Sequence, residues 1–277
     1  MSDPDLHFSV LGSNFSLACR TKHFRELAAQ NYSACLTEVP TLPPFFSLDS
    51  DPGGRLTLTS ISSGVIWDSR TNAGGDDYHF LYALEKELTL ELQRLHSQLY
   101  FVHAAVVERD GRCLLIAAES GTGKSTLTFA LQSRGWRYLS DELAPIDISQ
   151  CSVWPYRHAL CLKSLPPEPY ALLPPHIATD RTLHVPANRL NSVTSDEPQP
   201  LGGLVFLQRD QDTRAPSIRE INTAEATTRL YGNTLNALAH PNAGLDTAAK
   251  IAGSIPAWHL EVGDLDLSCE LLEAVDF

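Results

Sequence analysis

The sequence predicts an α/β protein with a mixed, partly antiparallel sheet carrying a P-loop, plus a small N-terminal α/β module, and three observations predict it. The run Glu119-Ser120-Gly121-Thr122-Gly123-Lys124-Ser125-Thr126 follows an apolar strand at residues 113–118 and opens a helix at 126–134 with Leu127 and Leu131 on one face. Asp110-Gly111 joins two apolar runs, 101–108 and 112–118, and is the strongest hairpin signal in the chain. The strand before the loop strand therefore runs antiparallel to it, unlike the parallel neighbours of the common doubly wound nucleotide fold. A further strand at 136–140 ends in Asp141-Glu142.

Taken in order, residues 6–19 alternate through Phe8, Val10, Phe15, Leu17 and Cys19 around Gly12-Ser13-Asn14, a hairpin pattern. A short helix through Phe24 and Leu27, a proline loop at 40–44 and strands at 55–59 and 64–68 complete a module over residues 1–75, which shows no chemistry of its own. Gly74-Gly75-Asp76 reads as a hinge to a catalytic domain over 76–277. That domain opens with Leu81, Leu84, Leu88, Leu92, Leu95 and Leu99 at helical spacing, a core stripe. Residues 145–200 hold ten of the eighteen prolines and cannot form one continuous element. Long loops beside a site are commonly lids or substrate-binding segments, and this one carries Arg157, His158 and Lys163 as candidate phosphate or acceptor contacts. Beyond it come strands at 203–207 and 217–221, a helix opening at Asn222 with Glu225 three residues on, a strand at 257–262 and a helix at 266–275.

The loop residues converge on phosphate chemistry. Gly121 and Gly123 let the backbone turn tightly and aim successive N–H groups into a concave anion site. Lys124 adds a positive charge, Ser125 stands where such loops present a hydroxyl to Mg²⁺, and the following helix points its positive end at the same place. The position of the usual first glycine is Ala118. Asp141, at a strand end beside the loop, is placed to bind Mg²⁺ or to take a proton from a nucleophile, with Glu142 next to it. His103 sits in an apolar strand and reads either as a satisfied core residue or as a catalytic one.

Composition excludes several classes. With 277 residues and 43% apolar content the chain can bury a sizeable core. No run of about 18 apolar residues exists, and Met1-Ser2-Asp3-Pro4-Asp5 is unlike a signal peptide, so the expectation is a soluble, cytoplasmic protein. The six cysteines are scattered without metal-ligand spacing and read as reduced thiols. A formal charge of −12 opposes binding to nucleic acid or anionic membrane, whereas a local nucleotide–Mg²⁺ site is compatible with it.

Three runs carry a resemblance to a known family: Val102-His103-Ala104-Ala105-Val106-Val107-Glu108-Arg109, then Glu119-Ser120-Gly121-Thr122-Gly123-Lys124-Ser125, then Arg134-Gly135-Trp136-Arg137-Tyr138-Leu139-Ser140-Asp141-Glu142. Together they resemble the catalytic domain of HPr kinase/phosphorylase, and more closely the smaller HprK-related kinase A type proteins associated with bacterial biosynthetic gene clusters. The resemblance implies a fold like phosphoenolpyruvate carboxykinase, with the phosphate loop in a mixed sheet. It implies that Asp141 is the general base toward a serine hydroxyl of a protein substrate, that His103 lies beside the phosphates, and that Glu142 has a metal role. In the related kinases an arginine stands five residues before a loop lysine; here Arg157 is six before Lys163 and His158 occupies the matching position. Self-association is implied by the resemblance alone, and no stretch matches the one that performs reverse phosphorolysis.

The resulting expectation is a kinase that uses ATP and Mg²⁺ to phosphorylate a serine-type hydroxyl of a peptide or small protein. Lys124 and the loop from Glu119 to Thr126 would hold phosphates, Ser125, Asp141 and Glu142 the metal, and Asp141 the hydroxyl proton. A small-molecule kinase acting on a free amino acid or a sugar would use the same residues. A nucleotide-gated binding module without phosphotransfer is the reading from another class.

Overall fold

The computed structural model describes residues 5–70, 77–171, 176–209 and 215–277. The expected hinge Gly74-Gly75-Asp76, and with it the expected boundary after residue 75, lies outside the described residues, as does Pro174-Pro175. The chain forms two compact units: the first takes Met1–Leu95, Arg157–Leu165 and Leu172–Arg189, the second His96–Tyr156, Pro166–Ala171 and Leu190–Phe277. This differs from the expected split into 1–75 and 76–277, because the leucine-striped helix belongs to the first unit.

In that unit β1 (Leu6–Val10) and β2 (Ser13–Cys19) form the expected hairpin. Its turn is Leu11-Gly12, with φ of 50° and 75°, so that Val10 pairs with Ser13; the turn falls one residue earlier than Gly12-Ser13-Asn14. After α1 (Lys22–Asn31) come β3 (Phe46–Ser50), β4 (Leu56–Ser60), β5 (Gly64–Asp68) and α2 (Asp77–Leu95). The five strands stand in chain order, with β2 and β3 parallel and the other pairs antiparallel. Phe80 of α2 packs against Phe24 and Trp67 at centroid distances of 4.7 and 5.8 Å, and Ser60 Oγ donates to Glu87 at 2.7 Å. These contacts are what assign α2 to this unit.

The chain then builds β6 (Tyr100–Val102), β7 (Ala104–Arg109), β8 (Arg112–Ala117), α3 (Lys124–Ser133), β9 (Arg137–Ser140), β10 (Ala144–Asp147) and β11 (Ser152–Val153) in the second unit. It returns to the first for a small antiparallel sheet of β12 (Leu160–Leu162), β13 (Ile177–Ala178) and β14 (Leu183–Val185). Back in the second unit it forms β15 (Gln199–Gln208), β16 (Ser217–Glu220), α4 (Thr223–Gly232), α5 (Leu245–Ala252), β17 (Ala257–Glu261) and α6 (Leu265–Glu273).

The sheet of the second unit is mixed, as the hairpin predicted. β7 and β8 pair antiparallel through Arg109↔Arg112, with Asp110 and Gly111 at φ of 54° and 83°, the left-handed pair that such a two-residue turn requires. On its other side β8 pairs parallel with β15, and β15 pairs parallel with β17. The single strand expected at 101–108 is broken at His103: β6 pairs with β10, whereas β7 pairs with β8 and β9. Val106, Leu115, Leu204 and Phe206 lie in the core of this unit with Leu230 and Ile251 of the helices. Asn222 caps α4, its side chain accepting from the Glu225 N–H at 2.9 Å. Among the described residues no helix is long and apolar enough to cross a membrane.

Candidate functional site

Strand direction decides what meets the glycine-rich loop. Because β9 and β8 are both antiparallel to β7, they point the same way, and β15 points with them. The carboxyl ends of β15, β8 and β9 and the start of β7 therefore share one edge of the sheet, with Ala117 opposite both Ala104 and Phe206. Adjacent strands are about 4.8 Å apart, so along this edge the glycine-rich loop after β8 stands between Arg209 on one side and His103 and Asp141-Glu142 on the other. Ligands in α/β sheets bind outside the carboxyl ends of the strands.

The loop itself has the turn the sequence calls for. Gly121 and Gly123 sit at φ of 90° and 114°, a region that strains any residue with a β-carbon. Thr122 N–H closes a turn onto the Glu119 carbonyl at 3.2 Å. Gly123 is the N-cap of α3, and its carbonyl accepts the Leu127 N–H at 2.9 Å, so the early N–H groups of a ten-residue helix open toward the loop. Leu127, Ala130 and Leu131 are buried and fix the helix on the sheet.

Behind the loop Lys124 meets Asp141. Both are buried, Asp141 completely. The ammonium lies 3.4 Å from Asp141 Oδ1 and also donates to the Asp141 backbone carbonyl. Next to them the His103 Nδ1 is 3.2 Å from Glu142 Oε2 and 3.2 Å from the Glu142 carbonyl, with both side chains half-exposed. The His103 N–H donates to the Asn233 carbonyl at 2.8 Å, which holds the backbone where β6 gives way to β7. His103 is thus at a strand break at the sheet edge rather than inside an apolar strand.

One residue of this edge was not among those singled out by sequence. Arg209 directly follows β15, is exposed, and places its guanidinium so close to the loop that a β-carbon on Gly123 would lie 3.3 Å from Nη2. The signal was available only in part, since the strand at 203–207 was legible but its parallel pairing with β8 was not.

Arg157, His158 and Lys163 belong to the first unit. His158 is buried, with Nε2 2.7 Å from Glu85 Oε1, and the Arg157 carbonyl faces the Cys35 thiol at 3.5 Å. Lys163 is exposed.

Among the described residues no group of three or more His, Cys, Asp or Glu side chains is arranged to hold a metal ion. Mg²⁺ in nucleotide sites takes only one or two protein oxygens and completes its shell with phosphate and water. The hydroxyl of Ser125 and the carboxylate of Asp141 suit that hard, oxygen-seeking ion, while Glu142 faces His103.

No protein-family model matches the chain, and no curated protein matches it. Among solved structures it is similar to the Hpr(Ser) kinase/phosphatase from Coxiella burnetii, at 14% identity and a TM-score of 0.29, over 62% of this chain and 90% of that one.

Proposed function

We propose that this chain is an ATP-dependent kinase that transfers the γ-phosphate to a serine-type hydroxyl of a peptide or small protein, in the setting of a bacterial biosynthetic or modification cluster. The observation that carries the reading is the buried Lys124–Asp141 pair directly behind the glycine-rich loop, at 3.4 Å. A cation suited to phosphate and a carboxylate suited to a hydroxyl proton then occupy one place, which separates a transfer site from a mere binding loop.

In this proposal the amides of residues 119–126 and the Lys124 ammonium hold the phosphates. Asp141 accepts the acceptor's hydroxyl proton from about 2.6–3.2 Å as the oxygen attacks. His103, braced by Glu142, neutralises charge on the transferred group. Ser125 and Asp141 would hold Mg²⁺, which when bound supplies charge neutralisation at the phosphates. Catalysis is then positioning and electrostatics rather than covalent chemistry. Of Arg157, His158 and Lys163, the candidate acceptor contacts, Lys163 is the exposed one.

The test is intact-mass analysis of serine-containing candidate peptides incubated with ATP, Mg²⁺ and the protein. One phosphate should be gained with the wild type and none with Asp141→Asn, while Asp141→Asn still binds ATP. Transfer by Asp141→Asn at near wild-type rate would sink the base assignment.

A further inference from the structure

The sheet edge carries a second cation that the transfer scheme leaves unused. β15 flanks β8 on the side away from β7 and β9, so Arg209 approaches the glycine-rich loop from the flank opposite Asp141, Glu142 and His103. Its position follows from register: Phe206 of β15 is opposite Ala117 at the end of β8, and three residues further on the chain has risen to the level of the loop. The guanidinium lies against the loop at Gly123, where a β-carbon would stand 3.3 Å from Nη2. Among the described residues Arg209 makes no ion pair, and it is exposed. Lys124, by contrast, is buried and engaged with Asp141 on the other flank.

We infer that Arg209 is a second phosphate-binding residue of this site, holding the phosphates that stay with the nucleotide. The inference rests on the nucleotide-binding reading above. A guanidinium presents a planar fork of donors that spans two phosphate oxygens, and its charge persists at every working pH. Since the proton acceptor and the histidine are on the opposite flank, the leaving group and the transferred group are divided between two cations. Arg209 serves the diphosphate end and Lys124 the end where transfer occurs.

The division predicts a particular binding pattern. Calorimetric titration with ATP and with ADP, each with Mg²⁺, should show both affinities falling by about tenfold in Arg209→Ala, the loss expected for one charge-assisted contact. Arg209→Lys should recover only part of it. In turnover the KM for ATP should rise. The inference is overturned if Arg209→Ala binds both nucleotides as the wild type does while Lys124→Ala has lost them. If Lys124→Ala also binds ATP normally, the nucleotide-binding reading itself fails and this inference with it. Near-unchanged melting temperature of Arg209→Ala, an exposed position, verifies that the comparison is between folded proteins.

Discussion

Lys124 Nζ and Asp141 Oδ1 lie 3.4 Å apart with both side chains buried, so the first residue of α3 is tied to the residue that follows β9. Removing one partner of a buried pair costs more than the pair contributes, because the other charge keeps its desolvation penalty. Lys124→Ala should destabilise the protein by about 3 kcal/mol. Adding Asp141→Asn should recover part of that loss, and urea midpoints of the two single variants and the double variant measure it. Equal midpoints for Lys124→Ala and the wild type would mean that the pair has no energetic role.

Under the proposed phosphotransfer, the His103–Glu142 contact predicts a kinetic effect without a binding one. Glu142→Gln removes the carboxylate at 3.2 Å from the imidazole while keeping the side chain's size. Loss of a group that orients a site residue typically costs about 10- to 100-fold. The expected result is a fall of that order in kcat with unaltered ATP affinity; a change confined to affinity would place His103 in nucleotide binding alone.

A pH dependence follows from Arg134 and Glu273. The guanidinium donates to both carboxylate oxygens at 2.8 Å, and these bonds hold the Glu273 carboxyl below its ordinary value. A depressed folded-state pKa means stability that is fully present above the unfolded value of about 4.3 and is lost as pH falls through the lower folded value. The stability difference between wild type and Glu273→Gln should therefore be constant near neutrality and shrink below about pH 4. Denaturation series at several pH values check the sign.

At the end of the chain Phe277 is buried against Trp136, with centroids 5.7 Å apart. The Arg109 guanidinium lies 4.6 Å from the Trp136 ring and 5.0 Å from that of Phe277, and it donates to the carbonyls of Glu273 and Val275 at 2.9 Å each. One arginine of the hairpin thus holds the segment after α6. Phe277→Ala should cost about 3 kcal/mol, and Arg109→Lys about 1 kcal/mol through loss of the stacked, forked geometry. Thermal unfolding resolves both.

Local patterns accounted for much of the second unit. Asp110-Gly111 specified the hairpin because its left-handed backbone is open to few residue pairs, and Asn222 with Glu225 specified the start of α4. The sequence gives no signal for β3 because Phe46 and Leu48 follow Pro43-Pro44 after a single residue, Phe45. β10 to β14 were hidden in the proline-rich stretch, being two to four residues long and too short for any period. The break at His103 was equally invisible, since residues 100–107 are apolar on both sides of it and only the change of pairing partners reveals it.

The sequence by itself determined the loop: Gly121 and Gly123 are there because the backbone must turn with positive φ, and Lys124, Ser125 and Asp141 are the residue types on which the proposed phosphotransfer draws. Tertiary structure decided which residues share the edge. Arg209 is 85 positions from Lys124 and reaches Gly123 only because β15 pairs parallel with β8, and strand pairing is a long-range choice made by the packing of the whole sheet rather than by any local run of residues.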